Sequence, residues 1–142
     1  MIINKTNINK ITKTFELACP MFKENLIEEA FIVGSVAKGS AREDSDIDVY
    51  LINSKFEKFY QSGLIDLQPG MKVDISEYPK MIDYLIEIGC EPKFTDYKNE
   101  QKTYWIYKKE KFHILHDYES ESIKKGGEYI EITEELCNEV NE

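Results

Sequence analysis

Two aspartates one residue apart, Asp46 and Asp48, follow a Gly34-Ser35 pair after ten intervening residues. Carboxylates at alternate positions of a strand share a face, because successive strand side chains point in opposite directions. Strand rise sets their Cα atoms roughly 6 to 7 Å apart, so both can lean toward one hard cation such as magnesium. An ion held there would bridge triphosphate oxygens, and a second would activate an attacking oxygen. Gly34 allows close approach of the backbone to a ligand. The Val36-Ala37-Lys38 segment after it is expected to form a short helix whose first N–H groups attract anions. Ser35 and Ser45 offer hydroxyls to a phosphate, and Lys38 and Arg42 offer charge. The competing reading is a hydrated carboxylate pair after a turn, since Asp and Ser often begin turns.

These residues need a scaffold that aims them at one place. Ala30-Phe31-Ile32-Val33 is a short apolar run that ends at Gly34, as a buried strand should. In Asp46-Ile47-Asp48-Val49-Tyr50-Leu51 the alternation puts Ile47, Val49 and Leu51 on a core face and both aspartates on the other. Met71-Lys72-Val73-Asp74-Ile75-Ser76 repeats the pattern, with Val73 and Ile75 opposite Asp74.

Gly34-Ser35, the ten-residue spacing and Asp46-x-Asp48 resemble the signature of the DNA polymerase β-like nucleotidyltransferase superfamily, in particular its minimal nucleotidyltransferase branch. The resemblance covers roughly residues 28 to 80. It implies an α+β (α/β) fold, a mixed sheet flanked by helices, here with a C-terminal hairpin extension. It also implies transfer of a nucleoside monophosphate from ATP or another NTP to a hydroxyl, with two Mg2+ ions. Asp46 and Asp48 would be metal ligands, and Gly34, Ser35, Lys38, Arg42 and Ser45 would bind the phosphates. The superfamily takes a third carboxylate from a later strand. By that resemblance Asp74 would fill the role as metal ligand and base, in preference to Asp66, which precedes the Pro69-Gly70 turn. Many members carry arginine where this chain has Lys38, which keeps the charge but loses the planar fork. Minimal members of this size resemble the antitoxin half of a toxin–antitoxin pair with a HEPN ribonuclease, and some attach AMP to a toxin tyrosine. The partners implied are an NTP and a HEPN-type protein or a second copy of the chain. A small-molecule or RNA-end acceptor is the alternative enzyme reading, and a non-catalytic binding module the alternative outside enzymology.

Composition bounds these readings. At 142 residues the chain suits one domain, with a core at about 10 to 90 and an extension at about 91 to 142. Larger superfamily enzymes add a domain to present the acceptor, and this chain has little room for one. The net charge of -9 argues against nucleic acid as the main partner, because phosphate contacts need concentrated Lys and Arg. No apolar run approaches a membrane span, and the first twenty residues are too polar for a secretion signal, so a cytoplasmic location is expected. Cys19, Cys90 and Cys137 are odd in number and widely spaced, which suggests reduced thiols.

Elsewhere, Asn4 to Asn9 reads as a frayed polar segment. From Lys10 to Glu29, apolar residues recur at helical intervals, with Pro20 expected to split the run into two helices. A helix is expected in Ser54 to Gly63, and another from Pro79 to Ile88, closed by Gly89. Thr103 to Tyr107 and Lys111 to Leu115 read as a hairpin around Lys108-Lys109-Glu110. Trp105, Tyr104 and Tyr107 are expected mainly to pack, with base stacking the less favoured role. His113 and His116 should point to opposite faces of their strand, which argues against a shared metal. Lys124-Lys125-Gly126-Gly127 is expected to be a solvated turn, with a grip on phosphate as its alternative. The acidic segment from Glu128 to Glu142 should dock a short strand or helix at the surface.

Overall fold

The structure is a computed structural model and describes residues 4–55, 63–64, 77–97 and 100–140. The elements run α1 (Lys5–Lys23), β1 (Glu29–Val33), α2 (Gly34–Lys38), β2 (Ile47–Ile52), β3 (Gly63–Leu64) and α3 (Glu77–Glu87). They continue with β4 (Glu91–Tyr97), β5 (Glu100–Tyr107), β6 (Glu110–Asp117), α4 (Glu121–Lys125), β7 (Ile130–Ile132) and α5 (Glu134–Val140). Six strands lie in the order β4-β5-β6-β2-β1-β7, and β3 pairs with the distal half of β6 to make a seven-stranded mixed sheet. Among the described strands only β2 and β6 run parallel; β1 is antiparallel to both β2 and β7. This is the α+β, helix-flanked mixed sheet expected from the sequence.

The two faces of the central strands differ in chemistry. Ile47, Val49 and Leu51 of β2, Ala30 and Ile32 of β1, and Phe112 and Ile114 of β6 are buried together against α1 and α3. Each large apolar side chain so buried contributes about 1.5 to 3 kcal/mol. The opposite face carries Asp48 and Tyr50, with a small apolar patch of Phe31, Ile52 and Ile123 where α4 covers one end of it. The site therefore stands on a rigid central strand whose other face is core.

Several local expectations need correction. Residues 4 to 9 are not frayed: Asn4 caps α1, its side chain accepting from the Thr6 amide, and Asn7 and Lys10 are buried. Pro20 lies inside an unbroken α1. It opens the last turn, where its missing N–H and ring affect the contact with the turn before it alone, and Asn25, at φ 56°, closes the end with Leu26 bonding back to Met21. The cysteines are not all reduced. Cys19 of α1 and Cys137 of α5 form a disulfide across 118 residues, while Cys90 is free, its thiol pushed up to about 12 by burial. The sequence gives no local sign of a pairing that depends on α5 folding back onto α1.

Other expectations match. The hairpin turn is at Lys108-Lys109, both with positive φ, as a tight two-residue hairpin turn requires. Its second strand, β6, lies inside the sheet beside β2. Trp105 is fully buried and Tyr107 nearly so, which makes them core residues. The helix ending near Ile88 is closed by Gly89 at φ 98°, and the C-terminal segment forms β7 and α5. Most of the expected Ser54 to Gly63 helix, together with Asp66 and the Asp74 strand, lies outside the described residues.

Candidate functional site

Gly34 is the junction of β1 and α2, at φ 71°. A Cβ built there would stand 2.7 Å from Asp48 Oδ2. Glycine is therefore required twice over, by a backbone conformation that L residues rarely adopt and by a carboxylate that occupies the side-chain space. The bend and the second aspartate are in contact, although fourteen positions separate them in the chain. Val33, the residue before α2, has no polar side chain, and among the described residues no side chain caps the leading amides of this helix.

The loop between α2 and β2 is pinned by α1. The Asn7 amide nitrogen donates to the Val36 carbonyl at 2.5 Å, and its oxygen accepts from the Ala41 amide at 3.1 Å. The Asn4 side chain donates to the Ala41 carbonyl. Lys10, 1% exposed, directs its ammonium to the carbonyls of Glu43 and Ser45 at 3.2 and 2.9 Å and to the Glu110 carboxylate at 2.5 Å. Three donors meet three acceptors, which is what makes burial of the charge tolerable. Ser45, next to Asp46, is thus fixed to the first helix and to the start of β6. Its hydroxyl accepts from the Arg42 amide at 2.8 Å, so it belongs to the turn. Arg42 and Lys38 are exposed.

Asp46 and Asp48 lie on the open face, each about a third exposed. The parallel register sets Asp48 opposite His113. The imidazole lies between the carboxylates, Nδ1 3.0 Å from Asp48 Oδ1 and Nε2 3.7 Å from Asp46 Oδ2. Its hydrogen bond to Asp48, aided by the charge of both aspartates and opposed by burial and Lys111, raises its pKa above 6.5. Lys111 Nζ stands 3.8 Å from Asp46 Oδ2 and over the Tyr104 ring. His116 is buried on the other face, so the two histidines do not meet. Beside Gly34, away from His113, a cavity of about 360 Å3 opens over Val33 and Tyr50.

A family model described as a nucleotidyltransferase domain matches residues 13–135. The chain belongs to that family. No curated protein and no solved structure gives a significant match to it. The matched region includes the bend, both aspartates, β6 and α4, so the features described above fall inside the nucleotidyltransferase domain.

The donor chemistry at this nucleotidyltransferase's open face suits magnesium, which is commonly held by one or two carboxylates together with substrate phosphates. Among the described residues no group of three His, Cys, Asp or Glu side chains is arranged to hold a metal ion. Asp46 and Asp48 are accordingly the protein donors to consider, with Asp74 outside the described residues. Of the residues singled out from sequence, the structure brings Gly34 and Asp48 into contact and places Asp46 on the same face. Sequence reasoning missed Asn7, Lys10 and the placement of His113. Polar residues at helical spacing beside an apolar stripe were a faint signal for the first two. His113 had none, because its position depends on β6 pairing with β2 across 65 residues.

Proposed function

We propose that this nucleotidyltransferase moves AMP from ATP to a hydroxyl group on a protein partner, in the manner of minimal-branch antitoxins that silence a HEPN-type toxin. The observation that carries the reading is the seating of the Asp48 carboxylate against Gly34, with Asp46 on the same face. That juxtaposition puts the candidate metal ligands next to the candidate phosphate-binding bend, which transfer from a triphosphate needs.

In the proposed step the acceptor oxygen forms a bond to the α-phosphorus while the bond from that phosphorus to the bridging oxygen breaks and pyrophosphate leaves. The acceptor's proton passes to Asp74, the base implied by resemblance. Bound magnesium would supply neutralisation of the charge that builds on the phosphate oxygens, with Asp46 and Asp48 as its ligands. The α2 amides and Ser35 orient the phosphates, and Lys38 adds charge. The net charge of -9 favours a protein acceptor with basic surface over an RNA end.

The test is incubation with α-labelled ATP and magnesium, with and without the product of the neighbouring gene. Label on that protein supports the reading. Label on a small molecule or an RNA end moves the acceptor, and label that persists in Asp46→Ala removes the site.

A further inference from the structure

On the helix side of the sheet, across the core from the aspartate pair, a groove of about 610 Å3 lies between the end of α1 and one face of α3. Its α3 wall is Lys80, Asp83, Tyr84, Glu87 and Ile88, at positions i, i+3, i+4, i+7 and i+8, which helical periodicity sets on one face. The floor is apolar: Leu26 is buried, Tyr84 and Ile88 pack against the core, and the Tyr84 hydroxyl is committed to the Leu17 carbonyl at 3.0 Å. The rim is acidic, with Glu24, Asp83 and Glu87 against Lys80. Among the described residues, none of these three carboxylates has an ion-pair partner. Backbone polarity acts in the same sense. Helix α1 ends at Lys23 and α3 at Glu87, so both bring their negative C-terminal ends to the groove, and the last turn of α3 has no basic residue. A carboxylate at that end works against the helix, and a cation seated in the groove would relieve it.

We propose that this groove docks a basic segment of a protein partner, whose arginine or lysine side chains lay their alkyl stems on Leu26, Tyr84 and Ile88 and present their charges to Glu24, Asp83 and Glu87. The inference goes beyond nucleotidyl transfer and does not depend on it. Three features select this occupant. The floor rewards a ligand with an apolar body and a cationic tip, which describes the side chains of lysine and arginine and not a bare metal ion. Tyr84, held by its hydroxyl, offers a ring to a guanidinium, which favours arginine. The volume has room for several side chains at once, more than one free amine needs, and the net charge of -9 steers a basic protein toward the chain.

Methyl NMR of the full chain tests this with two probes: a helical peptide carrying arginine and leucine on one face, and spermine, which has similar charge without apolar side chains. The peptide should shift the methyl signals of Leu26 and Ile88 and bind at least about tenfold tighter than spermine, the value of one good charge-assisted contact. The double variant Asp83→Asn, Glu87→Gln, at two exposed positions, should lose roughly tenfold toward the peptide. A control with the same change in net charge, Glu121→Gln, Glu128→Gln, alters exposed residues of α4 and the segment after it and should stay within about twofold. Equal losses in the two variants would trace the affinity to net charge and overturn the groove. Spermine binding as tightly as the peptide would make it a small-polyamine site and overturn protein docking. Absence of shifts at Leu26 and Ile88 on adding the peptide would overturn the proposal outright.

Discussion

Replacing Gly34 by alanine tests the seat of Asp48, and the structure supplies a control. Gly34 and Gly39 both have left-handed backbones, at φ 71° and 79°, one at each end of α2. Alanine at either costs about 1 to 2 kcal/mol of backbone strain. Only at Gly34 does the new methyl meet anything: Asp48 Oδ2 at 2.7 Å, against nothing within 4 Å at Gly39. Ordinary contact begins near 3.4 Å, so the carboxylate must retreat by about 0.7 Å, and a displacement of about 1 Å in a reacting geometry costs up to about 100-fold. Thermal unfolding should therefore show similar losses for Gly34→Ala and Gly39→Ala. Mn2+–ATP affinity and label transfer should fall roughly 10- to 100-fold in Gly34→Ala and change little in Gly39→Ala. If the two variants bind Mn2+–ATP alike, Asp48 does not depend on the space at Gly34 and the reasoning fails.

Lys10→Met should destabilise by about 3 kcal/mol, the lower end for breaking a buried pair, because Lys13 lies 3.6 Å from Glu110 and takes up part of its charge; urea unfolding measures this, and an unchanged midpoint would mean that Lys10 does not hold the loop before Asp46. For His113 the sign follows from a folded pKa above 6.5: the metal-free protein has the stabilising contact in full below about 6.5 and loses it as pH rises through the raised value. Relative to His113→Asn, its Tm should drop across that window while Mg2+ affinity increases as the competing proton leaves, and a pH-independent difference in Tm would contradict the pairing. Cys137→Ser should cost about 2 to 4 kcal/mol in urea unfolding, and reductant should bring wild type to the same midpoint; three titratable thiols in the unreduced, unfolded protein would refute the disulfide.

What the sequence revealed follows from the range of the interactions involved. The alternation in Ile47 to Ile52 is local, so the facing of Asp48 and the burial of Val49 could be read directly. The same holds for the Lys108-Lys109 turn and for the strand that ends at Gly34. Asn7 and Lys10 were obscured because buried polar residues look, in a sequence, like solvated ones; their partners lie about thirty residues away in the loop they hold. His113 was read correctly as facing away from His116, but its role beside Asp48 appears only once β6 is placed next to β2. The disulfide was hidden for the same reason, since it joins the first helix to the last.

The most direct measurement of the central claim is Mn2+ binding in the presence of ATP, followed by electron paramagnetic resonance, for wild type and for the Asp46→Asn, Asp48→Asn double variant. Asparagine keeps the shape and removes the charge at both positions. Saturable, ATP-dependent binding in wild type, lost in the double variant with its fold intact, is the expected result. Equal binding by the two proteins would show that this carboxylate pair does not hold the metal of nucleotidyl transfer.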